Sequence, residues 1–321
     1  MTEPTPESPS RPESPSSPVS SSPPVFIPDY PFSEAGDADS ILRSSDGVDF
    51  HVYRAILSLV SPIFRSMFSL PQQADAPKVP VIDVAEDSDI LDKALRFFYP
   101  GAQPIVATLD ELRCIIEILV SKYDMECVSE TAKDHLAKYL ARSPLAVYCI
   151  AVTHQWEDMA MLAAKESLKL RLRAHDTVAP PELNQIPAAA YHNLLHYHYR
   201  CGVAAKSKTQ TLRHIPAPNE YVWFSCTDAA CAKHTSSWYL ADNQLSPVRL
   251  WFVEYLGNLG TILMETPGTN IGDDTSLHLG YKKAAKCANC REKVFDQLYD
   301  FVSNHLASKV EEAIDEVDFS L

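Results

Sequence analysis

The chain has 321 residues, with 28 Lys and Arg against 42 Asp and Glu, a formal net charge of -14. That balance excludes a whole-chain cationic surface of the kind that grips nucleic-acid phosphates, so no direct nucleic-acid partner is expected. At 46% hydrophobic and 22% charged residues, the composition is that of ordinary globular protein, long enough for two or about three compact units. The most apolar runs, Cys114–Val120 with Glu117 inside it and Ala146–Val152, have the length of buried helices rather than membrane spans. The first residues lack the apolar core of a signal peptide. The expected location is therefore cytoplasmic or nuclear, where eight cysteines read as thiols or metal ligands before disulfides.

Residues 1–28 hold nine prolines and eight serines and are almost devoid of apolar residues, which predicts a disordered tail. Ser40–Arg43, the turn residues Ser44–Gly47 and the alternating Val48–Val52 predict a hairpin. Helical spacing follows through Ile56, Leu57 and Val60. Ser61-Pro62 then caps a helix whose apolar face is expected to be Ile63, Phe64, Met67 and Phe68. Val79–Val84 reads as a third strand, and Asp87-Ser88 opens a helix with Leu91, Leu95, Phe98 and Tyr99 in step. Thr108–Glu111 is a capping box starting a helix through Leu112, Ile115, Ile116 and Leu119, and a last helix over about 127–140 closes this region.

Within it, Ala38–Leu42, Phe50–Leu57 and Ser61–Phe68 resemble the opening signature of BTB/POZ domains. Arg96–Gly101 and Lys122–Met125 resemble two later motifs of the same family, in the expected order. Tyr53 stands where most members carry histidine, as is common in the fungal branch. The resemblance implies an α+β fold over residues 29–142, short strands flanked by helices, acting as a protein-interaction scaffold or adaptor that forms a homodimer. It also implies a charged pocket at the dimer groove built from Asp39, Tyr53 and Arg54, although Asp39 and Arg54 equally suit a pair that closes the hairpin. An alternative is a substrate receptor of a cullin-type ubiquitin ligase; the loop Leu70–Pro77 lacks the glutamate that such adaptors often carry, which weighs against it.

Residues 143–215 read as a helical extension: Ser143-Pro144 caps one helix, Trp156–Leu172 forms a second, and about 187–203 a third. Residues 216–321 form a C-terminal region with two cysteine pairs. Tyr221–Phe224 reads as an aromatic strand, Pro247–Leu259 as a helix, and the segment after Cys290 as a long amphipathic helix with a frayed acidic end at 311–318.

Four residues separate Cys226 from Cys231, two separate Cys287 from Cys290, and 55 lie between the pairs. Zinc takes four tetrahedral ligands, and pairs so spaced reach one ion, with His234 as a substitute ligand. Buried thiols and a redox pair are the competing readings; the redox reading needs a strand into Cys287, and Lys282–Lys286 is not apolar enough for one. His192 and His196 lie one helical turn apart, but Asn193 occupies the place of a metalloprotease glutamate, so a metal-dependent enzyme is a distant third reading. The chain has no G-x-S-x-G, G-x-G-x-x-G or phosphate-loop motif, and no enzymatic activity is expected.

Overall fold

Alternation of apolar and polar residues builds the first hairpin. β1 (Ser40–Arg43) pairs antiparallel with β2 (Asp49–Val52), Leu42 facing Phe50 and Ile41 facing His51. Leu42, Phe50 and Val52 point into the core, the period-two burial of a half-covered sheet. In the turn, the Ser44 hydroxyl donates to Asp46 at 2.6 Å and accepts the Val48 N–H at 3.0 Å, while Gly47 holds a φ of 83°. β3 (Val81–Asp83), shorter than the strand expected over 79–84, lies parallel along the other side of β1, giving the order β2-β1-β3. The computed structural model describes residues 26–33, 36–70, 79–101, 103–172, 178–215 and 221–320. The tail read as disordered lies almost wholly outside these, as does most of the loop weighed for cullin docking.

Helices α1 (Arg54–Val60) and α2 (Pro62–Ser69) follow β2 as a pair. Ser61 caps α2 as its sequence requires, its hydroxyl accepting the Phe64 N–H at 3.1 Å. The expected apolar face is only partly interior: Phe64 is buried, Met67 and Phe68 are half-buried, and Ile63 is exposed. Helix α3 (Ser88–Arg96) begins with the Asp87 carboxylate accepting the Ile90 N–H at 2.9 Å. It stops at Arg96, two residues before the expected apolar step at Phe98. The chain then turns, so Phe97 and Tyr99 are buried and Phe98 is half-buried, because the 3.6-residue period no longer applies. Phe32, not anticipated as core, is fully buried with its ring 5.0 Å from that of Tyr99.

The chain divides into two compact units, Met1–Ile105 and Val106–Leu321. The second opens with α4 (Leu109–Ile116), continued by a π-type turn over Glu117–Lys122, and then α5 (Ser129–Ala137). Thr108 accepts the Glu111 N–H at 3.2 Å, as the capping box requires, and the Glu111 carboxylate reaches back to accept the Ala107 N–H at 2.8 Å. Next come α6 (Pro144–Thr153), α7 (Glu157–Ser167) and the long α8 (Ala188–Thr209). α6 is apolar on every side and almost entirely buried.

Downstream, Tyr221–Phe224 is not a strand. α9 (Val222–Ser225) is a single helical turn, which buries the adjacent Val222 and Trp223 together; a strand would place them on opposite faces. After α10 (Ala229–Ala232), β4 (Thr235–Tyr239) pairs antiparallel with β5 (Leu245–Arg249). The helix expected from Pro247 therefore starts only at Leu250, as α11 (Leu250–Glu265). Helices α12 (Asp274–Ala284), α13 (Ala288–Phe301) and α14 (Ala307–Asp315) complete the unit, a π-type turn over Val302–Leu306 joining the last two. Trp223, Phe252 and Phe301 form the centre of its core, the Trp223 and Phe252 rings stacked at 4.4 Å. α8 packs closely on α11, with Gly202 against the Met264 backbone, so helices on both sides of residue 216 share one interior. The acidic end is anchored rather than frayed: Lys165 pairs with Asp315 at 2.9 Å, and Phe319 meets the rings of Tyr148 and Tyr197 edge-on.

Candidate functional site: an exposed helix pair and a four-cysteine cluster

Two places carry the residues singled out by sequence. The first is the amino end of α1. The Asp39 carboxylate accepts the backbone N–H of Arg54 at 2.7 Å, so it caps the helix rather than pairing with the guanidinium. The Arg54 guanidinium lies 5.3 Å from the Phe68 ring centroid, and its buried Nε has no hydrogen-bond partner among the described residues. The Tyr53 N–H donates to the Tyr99 hydroxyl at 2.9 Å, and the Tyr53 hydroxyl donates to Asp37. That last bond holds the Asp37 carboxyl below the usual carboxylate range and raises the Tyr53 phenol. Asp39, Tyr53 and Arg54 are thus neighbours around one helix start. Along α1, α2 and the residue that ends α2, apolar side chains stand in solvent: Leu59 is 78% exposed, Ile63 44% and Leu70 63%. Arg65, Ser66 and Ser69 of α2 are exposed among them.

The second place is in the other unit. Cys226 ends α9, Cys231 sits on α10, Cys287 is the N-cap of α13, and Cys290 lies in its first turn. Short helical turns, not a zinc-finger hairpin, present both pairs, and the 55-residue spacer is taken up by β4, β5, α11 and α12. The four sulfurs all lie within 4.8 Å of one another; Cys226–Cys287 is 3.7 Å and Cys231–Cys290 3.6 Å. A tetrahedron with metal–sulfur bonds of 2.3 Å has edges of about 3.8 Å, so the donor set fits one ion, and four protein sulfurs leave no open position for a reacting water. His234 lies outside the set.

The surroundings treat the four thiols differently. The Asp228 backbone N–H bonds the Cys226 sulfur, and the Asn289 side-chain nitrogen lies 3.6 Å from it. Burial raises the Cys226 thiol, yet the Asp228 N–H and the bonds from Cys290, Cys287 and Cys231 bring it below its ordinary value. Burial pushes Cys231 up to about 11, and Cys290 higher still. Arg249, buried and missed in the sequence, donates from Nη2 to the Cys226 carbonyl, and among the described residues no carboxylate pairs with it. The signal that could have found it is an arginine inside the apolar run Pro247–Val253.

His192 and His196 are exposed, their rings parallel with centroids 6.4 Å apart, and among the described residues the only cluster of three or more His, Cys, Asp or Glu able to share a metal is the four cysteines. Lys282–Lys286 ends α12 and continues into a turn, not the strand that a redox motif needs. Among the described residues no helix is long and apolar enough to cross a membrane.

Residues 31–140, about a third of the chain, match the family model of the BTB/POZ domain, and the chain carries that domain as its sequence motifs implied. The match runs across the junction between the two compact units. A BTB/POZ domain serves interaction with other proteins. No curated protein matches the chain.

Proposed function

We propose that this protein is a non-enzymatic adaptor that self-associates through its BTB/POZ domain and recruits other proteins through its second unit, which a structural zinc ion on Cys226, Cys231, Cys287 and Cys290 helps to hold together. The observation that carries the adaptor reading is the exposure of Leu59, Ile63 and Leu70 along α1, α2 and the residue that ends α2, within a domain whose family serves protein interaction. Fully burying an exposed side chain of this size contributes about 1.5–3 kcal/mol before association costs, so these three positions on each of two copies supply part of the driving force for a dimer. Asp39 and Arg54 stand at the start of α1, where they tune that contact. The metal reading is supported by the sulfur–sulfur separations and by the convergence of all four sulfurs within 4.8 Å of one another. Light scattering on the full chain at tens of micromolar tests the first part: a dimer mass supports it, and a monomer contradicts it. Elemental analysis tests the second: one zinc per chain supports it, and a metal-free, folded protein contradicts it.

A further inference from the structure

The four cysteines are not equivalent. Cys226 and Cys290 are 2% and 0% exposed, whereas Cys231 and Cys287 are partly exposed and line a cavity of about 400 Å³. His234, Trp251, Lys283 and Lys286 line the same cavity. Each pair thus buries one sulfur and presents the other to a solvent-accessible recess, and the two presented sulfurs come from different segments of the chain. Lys283 is engaged with Glu254 at 2.6 Å, while Lys286 and His234 are exposed at the rim.

We infer that Cys231 and Cys287 are an oxidation site: a hydroperoxide entering this cavity joins them in a disulfide across the two segments and expels the metal. The inference rests on the metal reading above for the expulsion, but not for the choice of sulfurs. In the first step the Cys287 thiolate attacks the peroxide, forming an S–O bond and breaking O–O; the leaving oxygen takes a proton from Lys286 or His234 and departs as water or alcohol. In the second step the Cys231 thiolate attacks the sulfenic sulfur, S–S forms, S–O breaks, and the hydroxide leaves as water after taking a second proton. The two sulfurs lose two electrons in all and the peroxide gains them. Cys226 and Cys290 remain as the only two sulfur ligands, too few to keep zinc against solvent. Because the new bond joins the same two segments that the metal tied, the unit stays folded. Spacing alone would favour a different product, the Cys287–Cys290 disulfide of a C-x-x-C pair.

The test is peptide mapping of the full chain after limited treatment with hydrogen peroxide, with differential alkylation of remaining thiols and zinc release followed by a colorimetric chelator. The expected result is a Cys231–Cys287 disulfide, free thiols at Cys226 and Cys290, zinc lost in proportion, and far-UV circular dichroism unchanged. Ala288→Trp, which adds bulk at the cavity rim, should slow the reaction without changing zinc content. A first disulfide at Cys287–Cys290 or Cys226–Cys231, or an Ala288→Trp rate equal to wild type, overturns the inference even when zinc is bound. Protein purified without zinc would overturn the metal reading alone, since the disulfide pattern still decides which sulfurs react.

Discussion

Trp223 is the side chain on which the interior of the second unit turns, and replacing it should show how much of that unit depends on its core. It is fully buried, stacked on Phe252 at 4.4 Å and edge-on to Phe301 at 5.4 Å. Trp223→Ala removes most of an aromatic side chain of about 150–250 Å², which at about 25 cal/mol per Å² corresponds to about 4–6 kcal/mol of transfer free energy. Measured truncations of buried aromatics cost about 3–5 kcal/mol, because the cavity partly collapses. Trp223→Phe keeps a ring to stack on Phe252, and it deletes an indole N–H that has no hydrogen-bond partner among the described residues. It should therefore cost about 1–2 kcal/mol, the smaller loss of area being partly offset by relief of the unpaired donor. Urea unfolding of the zinc-saturated full chain, followed by near-UV circular dichroism, reads both variants at fixed metal. An unchanged midpoint for Trp223→Ala, or a Phe variant as unstable as the Ala variant, would refute this placement and the reasoning from it.

Three further outcomes follow from single features. A Cβ on Gly202 would meet the Met264 carbonyl oxygen at 2.7 Å, so Gly202→Ala must push α8 from α11; a loss of about 1–3 kcal/mol in thermal unfolding is expected, and a gain from helix propensity alone would contradict the close packing. Phe64→Ala should cost about 3–5 kcal/mol in the first unit, while Phe98→Ala, at a half-buried position, should cost clearly less; equal losses in chemical denaturation would contradict the register after Arg96. Burial, followed by the charges of Lys208, Lys309 and His305, lowers His214 to about 4. The unfolded chain takes up this proton below about pH 6.5 and the folded chain does not until about pH 4, so stability should fall as pH drops through that window. His214→Phe should flatten part of that slope; a slope identical to wild type would show that His214 does not contribute.

Much of the first unit could be read from residues because its signals are local. Ser61-Pro62 and Asp87-Ser88 are caps whose hydrogen bonds form within three residues, and Val48–Val52 alternates over a strand that sits on a one-sided core. What local pattern could not reveal is where a helix ends without a breaker. α3 stops at Arg96 because Phe97 and Tyr99 find burial only by leaving the helix, which moved the interior from Phe98 to its neighbours. The cysteine pairs were legible by spacing alone, but their convergence across 55 residues depends on β4, β5, α11 and α12 folding back, which no spacing reports. Val222 and Trp223 looked like strand because aromatic and β-branched residues favour both strands and cores; two adjacent buried side chains decide for a helical turn. Arg249 was hidden for the opposite reason, since nothing in a local pattern shows that a charged residue in an apolar run is buried against the Cys226 carbonyl.

The central claim, self-association through the α1–α2 side of the BTB/POZ domain, is tested most directly by sedimentation equilibrium of the full chain and of a Leu59→Glu/Ile63→Glu variant. Both side chains are exposed in the single chain, so the double substitution leaves its core intact while placing four like charges in a symmetric dimer interface. The account predicts a dimer for the wild type at micromolar concentration and a folded monomer for the variant. A wild-type monomer, or a variant that dimerises as tightly as the wild type, would contradict it.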